Sequence, residues 1–233
     1  MDLDVSMNVL IPEHRKNTEK KLPALYLLHG LSDDHSKWLR YTSIERYVEE
    51  RELAVIMPAA DRSFYTNMVN GHSYFTYIAE EVPEVARTIF PLSRNREDNY
   101  TAGLSMGGYG ALKIALSYPE RFAAAASLSG SVDVESRRNA FPQDFKNIFG
   151  DQRIKGSRND LFYLADQLTR QNGFIPKLYL ACGTEDHNVQ ANTRLVDYMS
   201  ELGLPITYEK GPGAHDWKYW DKQIQRILGF LEF

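Results

Sequence analysis

The chain has 233 residues, 43% hydrophobic and 25% charged, an ordinary balance that excludes fibrous and disordered classes and fits one domain over residues 1–233. Its net charge of −4, with Arg137-Arg138 as the densest basic stretch, lacks the cationic excess needed to neutralise nucleic-acid phosphates. A single cysteine, Cys182, excludes an internal disulfide; no apolar run approaches the roughly 20 residues of a membrane span, and the amino terminus lacks a signal peptide's charged-then-apolar pattern. A cytoplasmic protein without nucleic-acid or membrane partners is therefore expected.

In chain order, short runs rich in β-branched and aromatic residues predict strands at Val5 to Ile11, Ala24 to His29, Leu53 to Pro58, Asn99 to Ala102, Ala124 to Leu128, Lys177 to Cys182 and Ile206 to Lys210. Longer stretches of helical spacing separate them, the pattern of a parallel sheet with helices on both faces. Phe75, Ile78, Val82, Val85 and Ile89 step by three and four, which predicts a helix burying that stripe, with Pro83 bending it or marking its start. Leu195, Tyr198, Met199 and Leu202 repeat the spacing, as do Trp220, Ile224, Ile227, Leu228 and Leu231. Residues 132–175 break the alternation with Pro142, Gly150, Gly156, Gly173 and many charges, and show helical spacing only around Leu161, Leu164, Ala165 and Leu168; they read as a small cap excursion over a site.

The chemistry centres on Gly103-Leu104-Ser105-Met106-Gly107. A serine hydroxyl needs a base to take its proton and donors to hold the oxyanion that forms. A G-x-S-x-G match arises readily by chance, so its setting decides: a strand ending at Ala102, a sharp turn at Ser105, then a helix from Gly107 stopped before Pro119 is the arrangement of a nucleophile elbow. Its oxyanion donors are the backbone N–H groups of Met106 and of the loop after an earlier strand, where Leu31 follows His29-Gly30. His29 is read as shaping that loop.

Of six histidines only His187 and His215 follow Ser105, as the elbow's chain order requires. His215 lies in Gly211-Pro212-Gly213-Ala214-His215, between the last strand and the last helix, and is preferred as the base. Asp186 in Gly183-Thr184-Glu185-Asp186 is preferred to Glu185 as the acid that orients the imidazole, and Asp216 reads as a helix N-cap. Trp38, Tyr65, Tyr74 and Phe141 sit where they could wall a substrate pocket, although core packing explains each as well. No paired-histidine or cysteine spacing suggests zinc, and no metal or organic cofactor is expected.

Gly-Leu-Ser-Met-Gly-Gly-Tyr-Gly (103–110), Leu-Leu-His-Gly-Leu-Ser (27–32), Gly-Thr-Glu-Asp (183–186) and Gly-Ala-His-Asp-Trp (213–217) resemble the esterase D-like branch of the α/β-hydrolases, most closely its tributyrin esterases, which are related to S-formylglutathione hydrolases and to acetyl and feruloyl esterases. The resemblance runs over almost the whole chain. It implies the α/β-hydrolase fold, a triad of Ser105, Asp186 and His215, oxyanion donors at Leu31 and Met106, and hydrolysis of small soluble esters with short acyl chains. Family members usually open with an additional strand, whereas this chain begins almost directly at Asp4-Val5-Ser6-Met7-Asn8-Val9, leaving the sheet edge in question; an unpaired edge would favour a homo-oligomer. Thioester hydrolysis and a non-catalytic binding role on the same scaffold are the alternatives.

Overall fold

The computed structural model describes residues 1, 3–171 and 173–231. Within them, β1 (Met7–Leu10), β2 (Ala24–Leu28), β3 (Ala54–Pro58), β4 (Asn99–Leu104), β5 (Ala124–Leu128), β6 (Lys177–Gly183) and β7 (Ile206–Gly211) form one sheet in the order β1-β3-β2-β4-β5-β6-β7. All neighbours pair in parallel except β1, which closes one edge antiparallel to β3. Every expected strand is present, and β4 runs on to Leu104, directly before Ser105.

The helices are α1 (Lys37–Tyr41), α2 (Ile44–Val48), α3 (Tyr74–Thr76), α4 (Val82–Ile89), α5 (Met106–Ser117), α6 (Pro142–Phe149), α7 (Leu161–Arg170), α8 (Val189–Glu201) and α9 (Trp217–Phe230). The central strands are buried along their whole length because both faces are covered, and successive side chains serve opposite faces. Leu25 and Leu27 pack with Trp38, Ile44, Ile224 and Ile227, whereas Tyr26 and Leu28 pack with Ile78, Leu112, Leu164 and Leu195. This is the α/β-hydrolase fold, a mostly parallel sheet flanked by helices with a small helical insertion.

The stripe expected at Phe75, Ile78, Val82, Val85 and Ile89 is corrected in its second half: Val85 and Ile89 are 47% and 61% exposed. A π-helical segment, Tyr77–Glu81, separates α3 from α4. Its wider turn accommodates one extra residue and rotates the following face by about 100°. Ile78, Ala79, Val82, Pro83 and Ala86 are buried instead, and Pro83 sits in the first turn of α4, where its missing N–H costs nothing.

The excursion from 132 to 175 divides. Leu161, Leu164, Ala165 and Leu168 of α7 join the same buried cluster as Leu112 and Ile114 of α5, so this half belongs to the helical layer. The first part, from Val132 to Phe141 and including a 3-10 turn at Val134–Arg137, brings Arg137 and Phe141 to the cleft over Ser105.

Candidate active site

At the end of β4 the chain turns so sharply that Ser105 adopts φ 51° and ψ −115°, a conformation a side chain ordinarily avoids. Two backbone hydrogen bonds hold it there: the Ser105 N–H donates to Leu128 O at 2.8 Å, and the Ser105 carbonyl accepts from Ser131 N at 3.0 Å. Strand and helix approach closely enough that a Cβ on Gly103 would lie 2.5 Å from the Gly107 carbonyl, and one on Gly107 would strike the Leu28 and His29 carbonyls. The glycines spaced around Ser105 therefore meet a steric requirement of the turn.

His215 Nε2 lies 3.1 Å from Ser105 Oγ, and His215 Nδ1 lies 2.9 Å from Asp186 Oδ2. Three residues remote in sequence thus form a continuous relay at the carboxyl edge of the sheet. Asp186 is 2% exposed. Burial opposes its charge, but hydrogen bonds from His215 and the Asn188 backbone N–H, the latter at 2.8 Å, outweigh that and hold the carboxyl below the usual carboxylate range. An ionised Asp186 that accepts from Nδ1–H leaves Nε2 as the acceptor facing the serine.

The neighbouring acid has a different task. Glu185 accepts the Gly213 N–H and so ties down the loop that carries His215. Asp216 caps α9 by accepting the Tyr219 N–H at 2.9 Å, as its position before Trp217 predicts. Sequence reasoning missed Ser129 and Trp220: the Trp220 indole donates to Ser129 Oγ at 3.0 Å, its ring packs edge-on to His215 at 4.9 Å, and the Ser129 carbonyl accepts from Asn188 Nδ2. Only the positive φ of Ser129 (50°) distinguishes it locally, and that is invisible in a sequence.

His29 is 1% exposed and shapes the loop after β2: its Nε2 accepts the Ala60 N–H at 2.9 Å, while its carbonyl accepts the Tyr65 hydroxyl at 2.9 Å. Burial lowers its pKa, in keeping with a neutral acceptor ring. Leu31 follows at the rim of the cleft, and among the described residues its N–H has no acceptor. Met106 is buried as the first residue of α5, where an N–H has no partner within the helix.

A cleft of about 510 Å³ opens over Ser105 and His215, bordered by Leu31, Arg62, Phe64, Arg137, Phe141 and His187 among others. Of the four aromatic residues expected to wall a pocket, Phe141 lines this cleft and the other three do not. Trp38 is 1% exposed and donates through its indole N–H to Leu28 O at 3.1 Å. Tyr65 is fully buried against Gly110 and holds the His29 carbonyl, and Tyr74 is buried in the layer of α4 and α5. These three support the loops that frame the site. A second cleft of about 480 Å³ lies beside Lys113, remote from the relay.

The His187 ring packs tilted against the His215 ring, 4.5 Å between centres, and burial with the nearby His215 and Arg137 charges lowers its pKa. Ligand atoms of Asp186, His187 and His215 lie within 4.8 Å of one another, a set that could hold a metal ion. Doing so would engage His215 and Asp186, two members of the relay, so a bound metal would compete with it. Cys182 is buried in β6, and burial first, with the Asp186 charge, pushes its thiol up to about 12, which leaves it unreactive.

The model of the Esterase family matches residues 1–231. The chain belongs to the esterase family. This esterase is 34% identical over 224 residues to an acetyl esterase of Caldicellulosiruptor saccharolyticus, covering 91% of this chain and 84% of the relative. Among solved structures it is similar to the Staphylococcus aureus fluorophosphonate-binding serine hydrolase FphF, with 43% identity, TM-score 0.91, and coverage of 97% of this chain and 91% of the other. It is also similar to the S-formylglutathione hydrolase FrmB of the same organism, with 42% identity, TM-score 0.88, and coverage of 97% and 92%. The esterase is a serine hydrolase acting on small esters, and among the described residues no helix is long and apolar enough to cross a membrane.

Proposed function

We propose that this esterase is a carboxylesterase for short-acyl esters that works through an acyl-enzyme, with Ser105 as nucleophile, His215 as base and Asp186 as the orienting acid. The observation that carries this reading is the relay itself, 2.9 Å from Asp186 to His215 and 3.1 Å from His215 to Ser105. His215 Nε2 takes the Ser105 proton as Oγ attacks the ester carbonyl, and the resulting oxyanion accepts the N–H groups of Leu31 and Met106. Collapse expels the alcohol with the proton from His215, and water repeats the sequence to release the acid. Each oxyanion donor is worth on the order of 3 kcal/mol in the transition state.

Phe141 is one aromatic wall for substrate in this scheme, and the first part of the 132–175 excursion, from Val132 to Phe141, is the cap over it. A cleft of about 510 Å³ suits small esters, including those typified by tributyrin and acetyl groups, better than bilayer lipid. Cytoplasmic location and independence from nucleic acid accompany this reading, supported by the lone cysteine and the net charge of −4. Self-association through the β1 edge of the sheet is part of it as well.

The test is covalent labelling by a fluorophosphonate probe together with hydrolysis of p-nitrophenyl esters from acetate to octanoate. Labelling that disappears in Ser105→Ala, with activity greatest on the shorter chains, is expected; an unlabelled intact protein would sink the proposal. The 42% identical relative bearing the description S-formylglutathione hydrolase favours thioester cleavage as a second reading. A large kcat/KM preference for S-formylglutathione over p-nitrophenyl acetate would establish it in place of the first.

A further inference from the structure

The acidic groups around the cleft are already engaged. Asp186 serves His215, Asp216 caps α9, and Asp33 accepts the Gly30 N–H at 3.2 Å with Lys37 3.7 Å away. Arg62, one of two arginines in the cleft wall, is neutralised by Asp144 at 2.7 Å. Arg137 is the other, and among the described residues it has no carboxylate partner. The acids nearest it in sequence are committed elsewhere, Glu135 to Arg138 at 2.7 Å and Asp133 to Arg194 at 3.2 Å.

Arg137 is nevertheless held in place. Its guanidinium carbon lies 5.5 Å from the centre of the Phe141 ring, and one terminal nitrogen lies 3.5 Å from His187 Nε2. Its Nε is shielded from solvent with no hydrogen-bond partner among the described residues. His187 in turn packs against His215, their ring centres 4.5 Å apart. A positioned guanidinium with unspent donors, one imidazole away from the catalytic base, matches the planar, bidentate geometry of a carboxylate.

We propose that Arg137 forms a carboxylate-binding subsite, so that the preferred esters carry a second, ionised acid group a few carbons from the scissile carbonyl. The inference rests on the serine-esterase reading above. The acid group belongs either to a short dicarboxylic acyl chain or to an acidic leaving group, and two substrate pairs distinguish these. p-Nitrophenyl hemisuccinate is compared with p-nitrophenyl butyrate for the acyl side, and 4-acetoxybenzoate with phenyl acetate for the leaving-group side.

In Arg137→Gln, the kcat/KM ratio of the anionic ester to its neutral counterpart is expected to fall by about tenfold to a hundredfold in one pair, through KM, as loss of a charge-assisted bidentate contact implies. Arg137→Lys, which keeps the charge and loses the fork, falls between wild type and Arg137→Gln. Independently of any variant, glutarate should compete with p-nitrophenyl butyrate in the wild-type protein more strongly than neutral glutaramide does. Ratios unchanged in both pairs, or equal inhibition by glutarate and glutaramide, overturn the subsite while leaving the esterase intact. Failure to hydrolyse any of the four esters, with no fluorophosphonate labelling, instead overturns the reading on which the subsite rests.

Discussion

Lys113 offers a test of the interior that supports the site. It is 2% exposed in α5, and its ammonium donates to Tyr65 O at 3.1 Å and Thr66 Oγ1 at 2.9 Å, with the Phe75 ring 4.8 Å away and no carboxylate partner among the described residues. Burial lowers its pKa to about 7, against about 10.4 in an unfolded chain. Below pH 7 both states hold the proton, and the cost of burying the charge is fully present. From about pH 7 to 10.4 the unfolded chain keeps a proton that the folded protein has released, so stability rises with pH by about 1.4 kcal/mol per unit. The perturbation is Lys113→Met, which removes the titrating group and keeps most of its volume. Denaturant unfolding from pH 6 to 9.5 should show the wild type gaining about 3 kcal/mol on the variant over that range, nearly all of it above pH 7. Should the variant fail to fold, the side-chain NMR titration of Lys113 in the wild type supplies the midpoint. Stability curves that run parallel, or a midpoint above pH 10, would refute the reasoning.

Asp186→Asn should lower kcat by about 10⁴-fold with the protein still folded, because the amide stabilises the wrong tautomer of His215; steady-state kinetics at pH 7.5 checks this. Gly107→Ala should cost about 3 kcal/mol or prevent folding, since the new methyl meets the Leu28 and His29 carbonyls, and thermal unfolding reads it out. Trp38→Phe should lose about 1 kcal/mol with its hydrogen bond to Leu28 O, whereas a selective rise in KM without loss of stability would return Trp38 to the substrate pocket. Added Zn²⁺ should inhibit ester hydrolysis reversibly and be reversed by a chelator, because the Asp186, His187 and His215 set competes with the relay; a His187→Ala variant should be less sensitive.

The sequence disclosed those features whose physical cause is local. Gly103 and Gly107 flank Ser105 because strand and helix nearly touch there, and a glycine spacing survives in one dimension. Asp216 before Trp217 announced a helix start for the same reason. Chain order narrowed the base to His187 and His215, and the loop after the last strand singled out His215; Asp186 and His215 meet Ser105 because each follows a strand whose carboxyl end lies at the same edge. Local periodicity could not reveal the π-helical turn that exposes Val85 and Ile89, because one accommodated residue changes the facing of all that follow. Nor could it separate aromatics that line the cleft from those beneath it. Phe141 and Trp38 look alike in sequence, and only the tertiary path of residues 131–141 brings the former, with Arg137, over the nucleophile.

The left-handed backbone of Ser105 gives the protein a direction of change that stability alone would favour. Backbone in such sparsely populated regions costs on the order of 1–3 kcal/mol in any residue with a side chain, and glycine escapes most of that cost. Ser105→Gly should therefore be at least as thermostable as the wild type while inactive. Screening a library for heat resistance without an activity requirement would tend to discard the nucleophile first. The serine persists only where the reaction itself is under selection, so its presence at this turn in an esterase scaffold is a record of use.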